Sequence, residues 1–195
     1  MFTMELCFAT NNQHKLAEVS AKLGDSFILK TLQDIGCTDE LPETSGTIPG
    51  NSRQKADYVW TNFGVSCFAD DSGLEVDALN GEPGVDSAFY SGSRDSEKNI
   101  QKLLANLSNK PSRKARFITV FTLVLHSVEH QFEGIIEGQI VTEPRGSGGF
   151  GYDPVFQPDG YDRTFAEMTI DEKGLISHRS RALAKMITYL QNQIK

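Results

Sequence analysis

The segment from residue 114 to residue 126 constrains the fold more than any other, because it predicts a strand on which both faces are largely apolar. Residues at alternate positions of a strand lie on the same face of the sheet. Phe117 and Phe121 would therefore share one face of such a strand, and Ile118 and Val124 would share the other. A strand with two apolar faces suits a sheet that is covered by helices on both sides.

The composition is that of an ordinary globular protein, and it argues against several function classes. The 195 residues, of which 38% are hydrophobic and 23% charged, suit one domain over residues 1–195, or one with two lobes that share a sheet. The net charge of −7 argues against sequence-independent binding to DNA or RNA, which relies on basic patches. No apolar run approaches the roughly 20 residues that span a bilayer.

The N-terminal residues and the cysteines bear on the cellular compartment. Residues 1–7 contain no basic segment, so they do not resemble a signal peptide. Cys7, Cys37 and Cys67 form no Cys-x-x-Cys pair, and we interpret them as reduced thiols. The sequence therefore predicts a cytoplasmic protein.

The acidic segment at residues 68–77 is a candidate reactive site. An apolar run leads into Asp70 and Asp71, which are followed by Ser72 and Gly73. The pattern predicts a strand, a tight turn and a second strand, with Gly73 in a conformation that a side chain would resist. Neighbouring carboxylates raise each other's pKa, and a hard divalent cation would relieve their repulsion. The alternative is an Asx-turn, in which the Asp and Ser side chains bond only to the local backbone.

A predicted helix N-terminus near the start of the chain could receive a phosphate group. The strand expected at residues 5–10 is followed by Asn11 and Asn12, and helical spacing then extends over residues 13–23, with Lys15 in the first turn. Backbone N–H groups and the helix dipole make such a place receptive to anions. The alternative is that Asn12 only caps the helix and Lys15 is a solvated charge.

A glycine-rich segment at residues 145–156 surrounds Phe150, Tyr152 and Asp153. Glycine allows a ligand to approach the backbone closely, and the two aromatic rings could stack on a planar base. The alternative is a flexible loop whose aromatic side chains belong to the core.

Basic residues begin the last predicted helix, which runs to about residue 193. Ser177 is a suitable N-cap, and His178 and Arg179 follow it. Positive charge opposes the helix dipole at this end, so an anion or a base carbonyl nearby would explain it.

The remaining segments complete an alternation of strands and helices. The expected elements are a strand at 26–32, helices at 51–63 and 96–107, and a strand at 131–142 that pairs with the apolar strand. Ser96 is the expected cap of the second of these helices. His126 and His130 have a spacing that could serve a metal ion, but a turn at the edge of the sheet is the favoured interpretation.

Taken together, these segments resemble the non-canonical purine nucleoside triphosphate pyrophosphatases, also called the inosine triphosphatase or Ham1-like family. The resemblance covers residues 8 to about 183. Four motifs carry it, and they occur in order at sensible spacing: Ala9-Thr10-Asn11-Asn12 with Lys15, Asp70-Asp71-Ser72-Gly73-Leu74 with Pro83-Gly84, Phe150-Gly151-Tyr152-Asp153-Pro154, and Ile176-Ser177-His178-Arg179.

This resemblance implies an activity and a role for each matching residue. The family hydrolyses the α–β phosphate bond of triphosphates such as ITP, dITP and XTP, requires Mg²⁺ and usually forms homodimers. Asp71 resembles the catalytic carboxylate that activates water, and Asp71 with Glu43, or else with Asp70, would hold Mg²⁺. The implied substrate-binding residues are Thr10, Asn11, Asn12, Gln13, His14, Lys15 and Ser72 on the phosphate side, and Phe150, Gly151, Tyr152, Asp153, Lys173, His178 and Arg179 on the base and sugar side.

The implied fold is α/β, with a long twisted mixed sheet flanked by helices and two lobes around a central cleft. Three positions depart from the usual pattern of the family. Asn11 replaces a frequent glycine, Gly50 replaces a usual glutamate and so removes one acidic candidate, and Phe89 replaces a usual arginine.

Two other functions stay open. A Maf-like nucleotide pyrophosphatase would have a related architecture and act on other nucleotides, but the Ser177-His178-Arg179 motif favours the purine family. A nucleotide-binding module without catalysis is the second alternative. Asp71 and its acidic neighbours argue against it, because carboxylates repel phosphates unless a metal ion is bound. The expected partner is a small nucleoside triphosphate, with no nucleic acid polymer and no membrane.

Overall fold

Five α-helices and seven strands make up the main regular structure of the chain, which the computed structural model describes over residues 4–24 and 26–193. The strands are β1 (Met4–Phe8), β2 (Phe27–Lys30), β3 (Cys67–Val76), β4 (Pro83–Gly84), β5 (Lys114–Leu125), β6 (Val128–Ile140) and β7 (Phe156–Pro158). The helices are α1 (Gln13–Leu23), α2 (Ile48–Phe63), α3 (Ser96–Asn106), α4 (Ile170–Ile176) and α5 (His178–Gln193).

All seven strands belong to one mixed sheet with the order β2-β1-β3-β5-β6-β7, in which β4 pairs with β3. Strand β1 runs parallel to both β2 and β3, so that Cys7 pairs with Lys30 on one side and with Cys67 on the other. Helix α1 makes the crossover that such parallel neighbours require. Strands β4 and β7 pair antiparallel with β3 and β6. The predicted α/β class, a mixed sheet flanked by helices, is confirmed.

The described chain forms two compact units. Unit 1 contains the residues up to Asp71, residues 119–134 and the residues from Arg179 onward. Unit 2 contains residues 72–118 and 135–178. Two lobes around a cleft, and a single domain over the whole chain, stay predictions.

Unit 1 has apolar clusters on both faces of its strands. The rings of Phe8 and Phe68 stack with centroids 4.7 Å apart, and Phe121 lies 5.8 Å from Phe68. Residues of α1 and α5 complete this cluster. On the opposite face, Cys67 and Val124 belong to a second cluster that includes residues of α2. The prediction that the strand at residues 114–126 is buried on both faces is confirmed for its unit 1 part.

Unit 2 has a core of its own, which is rich in aromatic rings. Phe117 of β5 lies 4.6 Å from Phe156 of β7, and Phe156 lies 5.2 Å from Phe165, between ring centroids. Leu103 of α3 and Tyr152 of the glycine-rich segment belong to the same cluster. The glycine-rich segment is therefore attached to a packed core.

The acidic segment is one continuous strand, so the predicted tight turn is wrong. Asp70, Asp71, Ser72 and Gly73 all lie within β3. Gly73 is not among the glycines with positive φ, so this position needs no special conformation. The Asx-turn alternative is excluded as well, because these residues form a strand and not a turn. The strand continues because each carboxylate has partners in unit 1 that no local pattern reveals.

Helix caps explain the small differences between predicted and observed boundaries. The side chain of Thr47 caps α2, so that helix begins at Ile48 rather than at residue 51. Asp95, not Ser96, caps α3. Gly64 ends α2 with a φ of 66°, as a C-cap glycine does.

Among the described residues, no helix is both long and apolar enough to cross a membrane.

A two-residue connection joins β5 and β6. His126 and Ser127 have φ angles of 49° and 69°, which is the pattern of a type I′ hairpin turn. His130 lies within β6, where its ring accepts or donates a 2.6 Å hydrogen bond with the Tyr189 hydroxyl. The prediction of a turn at this place is confirmed.

We expect Gly138→Ala to destabilise unit 2 by about 1–3 kcal/mol, the usual cost of an overpacked site. A Cβ atom at residue 138 of β6 would lie 2.4 Å from the Gln157 carbonyl oxygen and 3.0 Å from the Pro158 Cα atom, so β7 would have to move. Urea unfolding measures the change. Gln139→Ala, at an exposed position of the same strand, is the control. Equal stability of the two variants would contradict this packing.

Candidate functional site

The residues predicted for the site divide between the two units. Unit 1 holds Glu43, Asp71, Arg179 and residues 10–15. Unit 2 holds the others: Ser72, Phe150, Gly151, Tyr152, Asp153, Lys173 and His178. Each unit brings its own charged groups together.

Asp70 lies at the centre of a buried charge cluster in unit 1. Its carboxylate is 0% exposed and accepts hydrogen bonds from Lys15 Nζ at 3.1 Å and from Arg179 Nε at 3.3 Å. The Arg179 guanidinium also donates to Glu18. Strand β3, helix α1 and the first turn of α5 are therefore tied to one carboxylate.

The cations around Asp70 keep it ionised. Burial alone would raise the pKa of Asp70, but Lys15 and Arg179 outweigh burial and hold this pKa well below its usual range. Burial lowers the pKa of Lys15, an effect that Asp70 opposes. Burial also disfavours the charge on Arg179, but Glu18 and Asp70 raise its pKa above the ordinary value. Because Asp70 is already paired with two cations, it is less suitable than Asp71 as a ligand for a metal ion.

Asp71 has a different environment, because successive residues of a strand point to opposite faces. It is 9% exposed, and Asn51 Nδ2 donates to its Oδ2 atom at 3.2 Å. Burial raises the pKa of Asp71. Lys55 and Lys15 oppose this rise, and Glu43 and Asp70 add to it. A carboxylate with a raised pKa is a better proton acceptor than an ordinary surface aspartate.

Glu43 lies in the loop before α2 and forms an ion pair with Lys55 of that helix. Its side chain is 40% exposed, whereas that of Lys55 is 8% exposed. Lys55 therefore neutralises a carboxylate that is close enough to Asp71 to influence its pKa.

Asp71 and Glu43 fit a hard divalent cation. The described residues contain no group of three or more His, Cys, Asp or Glu side chains placed to hold a metal ion. Mg²⁺ needs no such group, because it commonly binds one or two carboxylates and completes its shell with water and substrate phosphates. Glu43 raises the pKa of Asp71, although Lys55 and Lys15 each lower it by more. A divalent cation bound by Asp71 and Glu43 would relieve the repulsion between these two carboxylates.

The start of α1 combines a helix cap with exposed backbone. Asn12 Oδ1 accepts hydrogen bonds from the backbone N–H groups of His14 and Lys15, at 3.0 Å and 3.1 Å, and Thr10 Oγ1 accepts from Asn12 N at 3.1 Å. The cap interpretation of Asn12 is therefore confirmed. Lys15 is not a solvated charge, because it is ion-paired with the buried Asp70. The other side chains of the segment, including Asn11 and Gln13, are exposed.

In unit 2, Asp153 organises the glycine-rich segment. Its Oδ2 atom accepts from Phe150 N at 2.8 Å and from Lys173 Nζ at 2.7 Å. Gly149 has a φ of 70°, and a Cβ atom there would lie 2.1 Å from the same oxygen, so glycine is required. Lys173 Nζ also lies 4.9 Å from the centre of the Phe150 ring. These contacts attach the segment to unit 2, and the alternative that its aromatic side chains belong to the core is confirmed for Tyr152.

The two aromatic residues of this loop differ in exposure. Tyr152 is 5% exposed, its hydroxyl donates to the Ser87 carbonyl oxygen at 2.9 Å, and burial raises its pKa. Phe150 is only half-buried. Gly151 lies between them with a φ of 59°. Phe150 is therefore the ring that can offer a face to a ligand with the least rearrangement.

His178 is part of the aromatic core of unit 2. Its ring stacks on Phe117 with the centroids 4.6 Å apart and the planes 10° apart. Ser177 ends α4, and His178 begins α5.

Ser72 is half-buried and lies on β3 directly after Asp71.

The sequence reasoning missed three residues of the unit 1 cluster: Glu18, Asn51 and Lys55. Spacing along the helices contained the relevant signal, because residues three or four apart share one face. Glu18 lies three positions after Lys15, and Lys55 lies four positions after Asn51. What spacing could not reveal was which carboxylate each of them faces.

Two of the three positions that depart from the family pattern, Gly50 and Phe89, have distinctive local contacts. A Cβ atom at Gly50 would lie 2.2 Å from Ser45 Oγ, so the serine occupies the room that a longer side chain would need. Phe89 is 49% exposed, and the guanidinium carbon of Arg94 lies 4.6 Å from the centre of its ring.

Relatives with a similar sequence cover nearly the whole chain. The model of the Ham1 family matches residues 6–189. A dITP/XTP pyrophosphatase of Flavobacterium psychrophilum is 47% identical over 190 residues, which are 97% of this chain and 100% of that protein. A dITP/XTP pyrophosphatase of Porphyromonas gingivalis is 49% identical over 188 residues, which cover 95% of this chain and 97% of that protein.

Solved structures agree with this relationship. A Ham1 protein from Coxiella burnetii superimposes with a TM-score of 0.90 at 34% identity, covering 97% of this chain and 100% of that one. A nucleoside-triphosphatase / dITP/XTP pyrophosphatase from Mycobacterium abscessus gives a TM-score of 0.77 at 44% identity, covering 94% and 98%. Since the family model, the relatives and the solved structures agree over almost its full length, this chain belongs to the Ham1 family.

Proposed function

We propose that this chain hydrolyses non-canonical purine nucleoside triphosphates, with ITP, dITP and XTP as substrates. The products are the nucleoside monophosphate and pyrophosphate, so that the reaction cleanses the nucleotide pool. The observation that carries the proposal is the near full-length similarity to proteins named dITP/XTP pyrophosphatase, in a chain whose acidic motif forms a buried cluster of charges.

Asp71 is the proposed catalytic base. Water attacks the α-phosphorus, the bond from that phosphorus to the bridging oxygen breaks, and Asp71 takes a proton from the attacking water. The raised pKa of Asp71 supports this role, because a base works best when its pKa is close to the working pH. Asp70 does not share the role, since Lys15 and Arg179 hold it ionised and paired.

Mg²⁺ is the proposed cofactor, held by Asp71 and Glu43. When bound, it would neutralise phosphate charge and lower the pKa of a coordinated water. Glu43 is preferred to Asp70 as the second ligand because it is 40% exposed, whereas Asp70 is fully buried. Lys55 of α2 holds the Glu43 carboxylate through their ion pair.

We assign the phosphate-binding side to residues 10–15 and Ser72. The first turn of α1 presents the positive end of the helix dipole, which favours phosphate, although Asn12 already accepts from the backbone N–H groups of His14 and Lys15. Lys15 adds a positive charge whose position is fixed by Asp70.

The proposed base and sugar side is formed by residues 150–153 together with Lys173, His178 and Arg179. Phe150 would stack on the purine, a contact of about 1–3 kcal/mol per base. Stacking does not distinguish one purine from another, so selectivity requires hydrogen bonds. Hypoxanthine and xanthine carry a carbonyl at C6, where adenine has an amino group, so a donor such as the His178 backbone N–H would bond the former and oppose the latter.

The Arg179 guanidinium is the other donor that could bond to this carbonyl, and it is less suitable than the His178 backbone N–H. Its guanidinium is 3% exposed and is engaged by Asp70 and Glu18. Guanine shares the C6 carbonyl, so its rejection would occur at C2, where its amino group needs an acceptor or room. A pocket with no acceptor at that place would admit hypoxanthine and xanthine alone.

We also propose a cytoplasmic homodimer. The three cysteines are buried free thiols, which is usual in a reducing compartment. The dimer rests on the usual state of the family.

We expect Asp71→Asn to fold normally and to lose at least about 100-fold in kcat, the scale of general-base catalysis. Steady-state kinetics with ITP and a thermal melting curve measure the two quantities. Asp77→Asn, at an exposed position just after β3, is the matched control and should retain full turnover. A near-normal kcat for Asp71→Asn would show that another group is the base.

The unmutated protein should release pyrophosphate from ITP only when Mg²⁺ is present. Ion chromatography of the products, with and without excess chelator, tests both parts of this expectation. Full activity in chelator would refute the metal ion as a requirement. Orthophosphate as the sole primary product would refute cleavage of the α–β bond.

The proposed selectivity should appear in kcat/KM. We expect ITP and XTP to exceed ATP and GTP by at least about tenfold, or roughly 1.4 kcal/mol of transition-state discrimination. A panel of these four triphosphates, scored by pyrophosphate release under one set of conditions, measures the ratios. Equal values for ITP and ATP would contradict the proposed readout of the C6 carbonyl.

A further inference from the structure

We propose that Asn51 is a positioning residue that fixes the orientation of the Asp71 carboxylate for hydrolysis. This inference rests on the proposed function. The Asn51 side chain is buried, with the residue 5% exposed, and its Nδ2 atom donates to Asp71 Oδ2 at 3.2 Å. Both residues belong to unit 1, so α2 reaches the proposed base through this amide.

The direction of the amide is set from its other end. Asn51 Oδ1 accepts hydrogen bonds from Ser45 N and from Ser45 Oγ, each at 3.0 Å. An amide oxygen can only accept and an amide NH₂ group can only donate. The Ser45 hydroxyl has a single hydrogen, which the Thr47 carbonyl oxygen at 3.0 Å also accepts, so the backbone N–H of Ser45 is the group that fixes the direction of the amide. This N–H can only donate, so the Asn51 oxygen must face Ser45 and the NH₂ group must face Asp71. Turning the amide over would break the bond from Ser45 N and place an oxygen against a carboxylate.

The loop before α2 is built to hold Ser45 in this place. Thr47 N donates to Ser45 Oγ at 3.2 Å. A Cβ atom at Gly50 would lie 2.2 Å from Ser45 Oγ and 2.7 Å from Thr47 Oγ1. The absence of a side chain at residue 50 thus leaves room for the Ser45 hydroxyl, and so for the position of Ser45 against Asn51. The change from a usual glutamate to Gly50 accompanies this arrangement.

Holding one oxygen of Asp71 fixes the plane of its carboxylate, and with it the position of the second oxygen. Catalytic groups depend strongly on such placement, because a misplacement of about 1 Å can reduce the rate about 100-fold. A donor at Oδ2 therefore does more than stabilise the fold: it presents the proposed base in one orientation.

The decisive variant is Asn51→Asp, which keeps the size of the side chain and an acceptor for Ser45. It replaces the donor that faces Asp71 with an oxygen that repels it. We expect kcat for ITP to fall at least about tenfold while KM changes by less than about threefold. A kcat within about twofold of the unmutated protein would overturn the proposal, because turnover would then not depend on a donor at Asp71 Oδ2.

Asn99 provides a matched control. It is also a buried helical asparagine, 4% exposed, whose Oδ1 accepts from Ser91 N at 2.6 Å and whose Nδ2 donates to the Ala88 carbonyl oxygen at 3.0 Å. Asn99→Asp should lower the melting temperature and leave kcat unchanged. If both substitutions reduced kcat to the same degree, the effect would be structural and the positioning role would be wrong.

Gly50→Ala tests the same arrangement without touching Asn51. The added methyl group must displace Ser45 Oγ, whereas alanine itself favours a helix over glycine, so the variant should remain folded. A lower kcat with little change in KM supports the proposal. An unchanged kcat would refute the part assigned to Ser45.

A double-mutant cycle tests the contact independently of activity. Asn51→Ala, Asp71→Ala and the double variant are compared by urea unfolding, and we expect the two changes in stability not to be additive. Additive changes would overturn the contact itself. If the unmutated protein released no pyrophosphate from any triphosphate, the proposed function and the catalytic part of this inference would fail, whatever the cycle showed.

Discussion

The buried carboxylate of Asp70 is the constraint on which the rest of unit 1 depends. An ion with 0% exposure is tolerated only when opposite charges surround it, and Lys15 and Arg179 supply them. Removing one partner of a buried pair costs about 3–5 kcal/mol, because the other charge is then uncompensated. The positions of α1 and of the first turn of α5 are therefore fixed relative to β3 by electrostatics as well as by packing.

The alternation of a β-strand separates two neighbouring carboxylates into two chemical environments. Asp70 points to a pair of cations, which lower its pKa, whereas Asp71 meets an amide, and burial raises its pKa. Pairs of carboxylates that are shifted in opposite directions are a recurrent way for one site to hold a permanent charge beside a proton acceptor. In this chain, Asp70 and Asp71 reach different environments because residues 70 and 71 lie in a strand and not in a turn. Asn51, oriented by Ser45, would then give the second carboxylate a defined direction.

In unit 2, a buried carboxylate that is paired with a cation organises a loop. Asp153 is 2% exposed, and it bonds both to the backbone of Phe150 and to Lys173 of α4. The glycine at residue 149 is required because the carboxylate oxygen occupies the place of a Cβ atom. A glycine-rich segment is thus ordered by one buried ion pair, and Phe150 is held next to the lysine that compensates Asp153.

The sequence by itself determined the α/β class, most helix ends and the chemical type of the candidate site. The periodicity of residues 114–126 required burial on both faces, and Gly64 marked a helix end, because these features depend only on neighbouring residues. The four motifs also indicated the family before any contact was known. The sequence could not determine that Asp70 and Asp71 share one uninterrupted strand, because the cations that make this possible come from residues 55 and 109 positions away. Only the tertiary structure decided which carboxylate is paired with cations and which faces Asn51, because burial and electrostatic pairing depend on distances between atoms that are remote along the chain.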